Sequence, residues 1–433
     1  MKVGLGRVDI TPREPVLMAG YADRNGNSQG VRDPLHARSF YFAEGETEVG
    51  IVVLDLLGVS EGFLRKVRTE VSRLCILPPQ NLLISCTHTH SGPGGLTNSR
   101  SGNVDRPGAN REYVAGLVEK VSESLQAARR NAFPALCRIN SCHLRGIADN
   151  REDQGQESGA RLWAVAVEDL QRSKLRGVLA TFPCHSTVLG ADNRLISPDL
   201  LGAAASKAEE RLGRGVVGIA AGAAGDMSTR FHRREQTFAE LDRLSGLLKR
   251  NLLRLIQGGG EGAAGLAAGS KKCRLPYKEA PPKREVEDLV SHLRKELERR
   301  GESANSGEMR ILRTKLEGAR ILLDMVEQGV FTEASATARL SGISFGDHAL
   351  VGFPGEPFNA VETTLSSNFS GSSASVAGLT NGYLGYFPDR RAQAENWYEA
   401  LASPFGYRAT EKLIRESVQL LEQLRKETLQ EEK

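Results

Sequence analysis

Short apolar runs alternate with stretches of helical spacing along most of the chain, and this limits the possible fold more than any other feature. Ser39–Phe42 and Val49–Leu54 flank Glu44-Gly45-Glu46 and read as a β-hairpin. Glu61–Leu74 then places Phe63, Leu64, Val67, Val71 and Leu74 on one side of a helix. Asn81–Cys86 reads as a buried strand, Glu112–Arg129 as a second amphipathic helix, and Ala160–Glu168 as extended again. Arg176–Pro183 and Val216–Ala220 are further buried strands, with helices expected from near Asp199 and over Thr237–Leu255. This alternation predicts an α/β fold: a mixed β-sheet core flanked by helices, with antiparallel pairing where the hairpins fall.

The second half departs from that rhythm twice. Gln257–Ser270 (QGGGEGAAGLAAGS) is poor in large side chains and is expected to be a surface connection. Lys283–Gly329 reads as two charged amphipathic helices broken at Arg300-Gly301-Glu302. The expectation is a helical hairpin (283–329) inserted into a single α/β catalytic domain that spans 1–433. Beyond it, Thr337–Phe345 and Ala349–Phe353 form a second hairpin around Gly346-Asp347-His348, Ser375–Leu379 is a strand, and a last helix covers Ala409–Leu429.

Composition excludes some partners. The 57 basic and 53 acidic residues are intermixed and sum to only +4, which gives no nucleic-acid footprint. The longest apolar candidate, Val49–Val59, is interrupted by Asp55 and is too short to cross a bilayer. The opening MKVGLGRVDITP is strand-like, without an apolar signal core, and the 6 cysteines are scattered without CxxC spacing. The expectation is a reduced cytoplasmic protein, or an exported chain whose leader has been removed.

Chemistry concentrates at strand ends. SCTHTHSGPGG (85–95) places His88 and His90 two residues apart where the Asn81 strand finishes. On a strand such positions share a face. Two readings stand: a polar turn with satisfied imidazoles, or half of a metal site. His185 in TFPCHSTVLG repeats the placement, and Glu356 in LVGFPGEPF puts a carboxylate between Gly355 and Pro357. Each alone reads as an ordinary turn residue. Together they are zinc-ligand types at the ends of three predicted strands, where α/β proteins gather ligands. Asp226 in GAAGDMSTR reads either as a helix cap or as a group that orients a ligand histidine. Tyr383, Tyr386, Trp397 and Tyr398 crowd one short stretch, AGLTNGYLGYFPDRRAQAENWYEA, which reads as a packed lid.

CTHTHSGPGG, FPCHST, FPGEPF and GYLGY followed by WYEA occur in the order found in the neutral ceramidases, and the chain resembles that family. VGLGRVDITP, MAGYADR, IVVLDL and GDMS extend the resemblance over patches of Met1–Arg230, and it resumes from Gly342 to about Gly406. The resemblance implies a zinc-dependent hydrolase that cleaves the N-acyl bond of ceramide or a related compound. It makes His88, His185, Glu356 and Tyr386 the ligands of one zinc ion per chain, with His90 beside the metal as a proton-transfer and positioning group. Tyr398, 12 residues after Tyr386, and Arg151 in ADNRED would stabilise the oxyanion. Arg151 also reads as a plain surface arginine. The partner expected is a small-molecule or lipid N-acyl substrate. A related ester or lactone, a phosphoesterase reaction on two metals, or a non-catalytic metal-binding role are the alternatives.

Overall fold

In chain order the main strands are β1 (Lys2–Asp9), β2 (His36–Glu44), β3 (Thr47–Leu54), β4 (Leu82–Cys86), β5 (Phe133–Leu144), β6 (Ala160–Asp169), β7 (Lys174–Phe182) and β8 (Val216–Ala221). In this computed structural model they form one sheet in the order β8-β7-β6-β5-β1-β2-β3-β4. The structure describes all residues except 25, 75, 98–104, 106–107, 153–158, 214, 301–305 and 432–433. Pairing is antiparallel through the middle of the sheet and parallel at its two ends, β3 with β4 and β7 with β8. A parallel neighbour needs a crossover long enough for a helix. Glu61–Arg73 supplies one and Asp199–Leu212 the other. The first is capped by Ser60, whose hydroxyl accepts the Phe63 amide, and it buries Phe63, Leu64, Val67 and Val71, the stripe read from the sequence.

The sheet curls until its edges meet. A Cβ at Gly218 of β8 would stand 2.8 Å from the Phe40 ring of β2 and 3.1 Å from Val53 of β3. Only a residue without a side chain permits that approach. The segment 378–381 then stitches the two edge strands together. The Gly378 amide donates to the Ala221 carbonyl of β8 at 2.8 Å, and the Ser85 hydroxyl of β4 donates to the Gly378 carbonyl at 3.0 Å. The Asn381 side chain accepts the Ile84 amide at 2.9 Å and donates to the Leu82 carbonyl at 3.1 Å, so one side chain satisfies backbone groups of edge strand β4.

A second sheet holds β9 (Ala267–Pro276), β10 (Ser335–Phe345), β11 (His348–Gly352) and β12 (Ser373–Ala377), with β11 and β12 parallel. The expectation of a surface connection up to Ser270 is corrected here, because Ala267–Ser270 is already strand. Its small residues serve packing. Gly269 pairs with Gly342, and Cβ atoms there would reach Leu424 of the last helix, Tyr407–Glu431, at 3.2 and 2.9 Å. Between β9 and β10 the chain makes two helices, Lys283–Arg300 and Ser306–Glu327, whose apolar faces meet through Val286, Val290, Leu293, Leu316, Ala319 and Leu322. The expected break falls on Gly301 and Glu302, which lie outside the described residues.

Candidate active site

Each metal-ligating residue type singled out in the sequence follows the carboxyl end of a strand: His88 after β4, His185 after β7, Glu356 after β11, and Tyr386 after β12. The stitched edges bring these ends together. All seven sequence-predicted residues (His88, His90, Arg151, His185, Glu356, Tyr386 and Tyr398) line one cleft of about 340 Å³.

His88 and His90 converge, but not for the reason the sequence suggested. β4 ends at Cys86, so no pleat aligns them. His88 instead takes a left-handed backbone, φ 58°, which costs a β-carbon residue about 1–3 kcal/mol and persists only where its surroundings enforce it. Those surroundings are visible. Thr89 bridges to Ser186 in the loop after β7, and the Arg24 guanidinium donates to the carbonyls of His90 (2.6 Å) and Ala19 (2.9 Å). The two imidazoles meet edge to face with centroids 4.9 Å apart, and the Tyr21 ring packs on His90 at 5.0 Å.

The hydrogen bonds fix which nitrogen faces the cleft. His88 Nδ1 lies 2.8 Å from the Leu57 carbonyl, and His185 Nδ1 lies 2.8 Å from the Ala224 carbonyl and 3.2 Å from that of Met227. A carbonyl only accepts, so both Nδ1 atoms carry the proton and both Nε2 atoms present a lone pair. Glu356 Oε2 lies 3.2 Å from His88 Nε2 and 2.9 Å from His185 Nε2. The second contact falls outside hydrogen-bonding direction: His185 Nε2 and Glu356 Oε2 are buried and neither has a hydrogen-bond partner. Buried acceptors facing one another without a donor are costly, and a cation removes the cost. Two imidazole nitrogens and a carboxylate oxygen form a donor set that zinc accepts. The ligand atoms of His88, His90 and His185 also lie within 4.8 Å of one another, which makes His90 a possible third nitrogen donor.

Surrounding groups hold the donors in place. Tyr383 donates its hydroxyl to Glu356 Oε1 at 2.6 Å, which fixes the carboxylate with Oε2 inward. Sequence reasoning missed this role. The available signal was the spacing of Tyr383 and Tyr386 around a Leu-Gly turn. Tyr386 stacks near His185 (6.4 Å between centroids), with the Tyr398 ring 6.0 Å away and the Arg151 guanidinium 5.8 Å from its ring. Burial, with Glu356 beside it, pushes the Tyr386 phenol well above its ordinary value.

Arg151 is not a surface arginine. Its side chain is 12% exposed, pairs with Glu399 through Nε at 2.5 Å, and donates to the Gly225 carbonyl at 2.9 Å. Asp226 does not orient a ligand histidine. It accepts the Asn359 amide at 2.7 Å, at the start of the helix Asn359–Asn368, and the Asn150 side chain at 2.8 Å. The carbonyls on either side of it, Ala224 and Met227, orient His185 instead. Burial pushes the Asp226 carboxyl up to about 7.

Residues 1–237 match the family described as "Neutral/alkaline non-lysosomal ceramidase, N-terminal". The neutral ceramidase of Pseudomonas aeruginosa is 28% identical over 229 residues, 49% of this chain and 34% of that protein. Neutral ceramidase 1 of Arabidopsis thaliana is 30% identical over 227 residues, 48% of this chain and 29% of that protein. These matches therefore span about a third of the relatives' own length. The crystal structure of the Pseudomonas aeruginosa enzyme has a similar fold, with TM-score 0.77 at 21% identity over 98% of this chain and 74% of that one.

Proposed function

The chain belongs to the neutral/alkaline non-lysosomal ceramidase family, and from that premise we propose that it is a zinc-dependent amidohydrolase cleaving an N-acyl amide bond. The observation that carries this reading is the pair of buried acceptors, His185 Nε2 and Glu356 Oε2, that face each other with no donor between them. His88, His185, Glu356 and Tyr386 would hold one zinc ion. Bound there, zinc supplies a Lewis acid and an acidified water.

The chain's own residues do the rest. Hydrolysis adds hydroxyl to the acyl carbon and a proton to the departing amine, and negative charge collects on the carbonyl oxygen in between. The Arg151 guanidinium and the Tyr398 hydroxyl stabilise that charge from fixed positions, so little reorganisation is needed when it develops. Glu399, paired with Arg151, holds the guanidinium in place. His90, whose Nε2 lies 3.4 Å from that of His88, carries the proton to the amine. The ordering of His90 by Arg24 and Tyr21 supports a positioned proton carrier. We read 1–433 as one catalytic domain, with 283–329 an insertion that contributes a wall of the cleft.

The grouping of His88, His90 and His185 favours a second reading in which His90 is a ligand. Metal analysis of His90→Ala separates the two: a proton carrier leaves zinc bound and activity lost, whereas a ligand loses both. The reaction itself is tested by screening zinc-loaded protein against N-acyl amides of varied chain length, ceramides and short N-acetyl compounds included. Hydrolysis that disappears in His88→Ala supports the assignment. Cleavage of esters, lactones or phosphoesters with no cleavage of amides would replace it.

A further inference from the structure

The outer wall of the cleft carries charge that amide hydrolysis does not use. Arg230 donates to the Arg151 carbonyl at 3.0 Å and lies 3.8 Å from Glu152. Arg233 donates to the carbonyl of Thr187, in the loop that carries His185. Arg310 arrives from the helix Ser306–Glu327, where Arg310, Thr314 and Glu317 recur at helical spacing and form one polar stripe along the cleft. Among the described residues Arg310 makes no ion pair or hydrogen bond. A guanidinium has five N–H donors, so each of the three keeps donors for a ligand. Their mutual repulsion shows: burial, together with Arg151 and Arg310, pushes Arg230 down to about 10, and burial with Arg310 nearby also lowers Arg233.

The cleft also holds five carboxylates, three of them engaged. Glu356 faces the histidines, Glu399 is taken by Arg151, and Glu152 faces Arg230, while Asp23 and Glu317 lie together at the rim, where burial with Asp23 nearby raises the Glu317 carboxyl. Aliphatic lining is sparse and comes from Leu57, Ala22 and Ala191. The remaining apolar lining is aromatic, from Tyr21, Tyr383, Tyr386 and Tyr398, and an anion at the wall would meet charge-assisted donors from Arg230, Arg233 and Arg310.

We propose that the cleft takes an N-acyl amide bearing an anionic group, a carboxylate or a phosphate, and that Arg230, Arg233 and Arg310 bind that group and set specificity. This rests on the amide-hydrolysis reading above and narrows its substrate class.

Two matched pairs of substrates test it. N-lauroylglycine and N-lauroylethanolamine differ in a carboxylate on the amine half, and the N-succinyl and N-butyryl amides of butylamine differ in one on the acyl half. The zinc-loaded protein should prefer the anionic member of at least one pair by about tenfold in kcat/KM, chiefly through KM, the scale of one charge-assisted hydrogen bond. Arg233→Ala/Arg310→Ala should erase that preference, and Glu317→Gln should increase it. Arg310→Ala alone, on an exposed side chain, should give a partial loss even if the double variant misfolds. Equal rates within both pairs, or a preference that survives Arg310→Ala undiminished, would overturn the proposal. Should the protein cleave none of the four, the wider amide screen judges the hydrolysis reading and calorimetric binding of N-lauroylglycine judges the arginines alone. Binding weakened about threefold or more in Arg310→Ala upholds the anion site, while unchanged or absent binding removes it.

Discussion

His88 and His185 sit on strand-end loops with Nδ1 tied to backbone carbonyls, whereas Arg310 and Glu317 reach the same cleft from the exposed face of a helix. The first pair is buried, and each ring is held by its own backbone partner. The second pair is wet and free to adjust. The contrast assigns different work to the two regions: bond-making chemistry needs fixed donors in a low-dielectric floor, and selection among substrates needs only reach and charge at the rim. If the contrast holds, substitutions in the floor should cost far more than substitutions in the wall, and in a different observable.

The largest effect is expected from His185→Ala. Loss of a nitrogen donor should empty the site of zinc and reduce kcat/KM by about a thousandfold or more, the scale of several kcal/mol of lost charge stabilisation. Metal analysis beside steady-state kinetics checks it, and a metal-replete, active variant would break the floor assignment. Tyr398→Phe comes next, with kcat lowered by about a hundredfold. Zinc content should be unchanged there, as expected of a residue proposed to act on substrate rather than on the ion. Tyr383→Phe should weaken zinc affinity by about ten- to a hundredfold, since it frees the carboxylate of Glu356 to rotate. Competition with a chelator measures that loss. The wall variant Arg310→Ala should cost about threefold in KM for an anionic substrate, part of the roughly tenfold preference, and leave metal affinity alone.

The smallest effect is on stability. Lys278 is half-buried, with its ammonium donating to the carbonyls of Ala400 (2.7 Å) and Leu401 (3.2 Å), at the end of the short helix Tyr398–Leu401. Burial pushes it down from 10.5 to about 7. A cationic group depressed on folding binds its proton more weakly in the folded state. Its contribution is therefore present above the unfolded value of 10.5 and is lost as pH falls toward about 7. Wild type should lose stability relative to Lys278→Met between pH 9 and pH 8 by at most about 1.4 kcal/mol. Chemical denaturation at the two values checks it, and a wild type that gains stability relative to Lys278→Met as pH falls would contradict the assignment.

The floor was legible in the sequence and the wall was not, for physical reasons. Strand-end residues of metal-binding type announce themselves through an apolar run and a Gly- or Pro-containing turn, as in SCTHTHSGPGG and FPGEPF. The local geometry was less accessible. His88 and His90 appeared to share a pleat, but the left-handed residue at His88 depends on Thr89, Arg24 and the loop after β7, which are contacts no local pattern encodes. β5, in the middle of the main sheet, went unread because its buried positions Ala135, Cys137 and Ile139 alternate with Pro134, Leu136 and Arg138, which blurs the apolar–polar period. The Ala- and Gly-rich start of β9 looked like a loop because propensity favours large β-branched side chains in strands. Packing decided otherwise, since small residues let the last helix lie close on the sheet. The charged helix 306–327 read as half of an inserted helical hairpin, and only the tertiary arrangement places Arg310 and Glu317 at the cleft.

The central claim is that a buried set of donors on strand-end loops holds one catalytic cation. Zinc content per chain, measured on the purified protein and on His88→Ala, tests it most directly. The account predicts one zinc per wild-type chain and none in the variant. Two metals per wild-type chain, or the same content in both proteins, would contradict it.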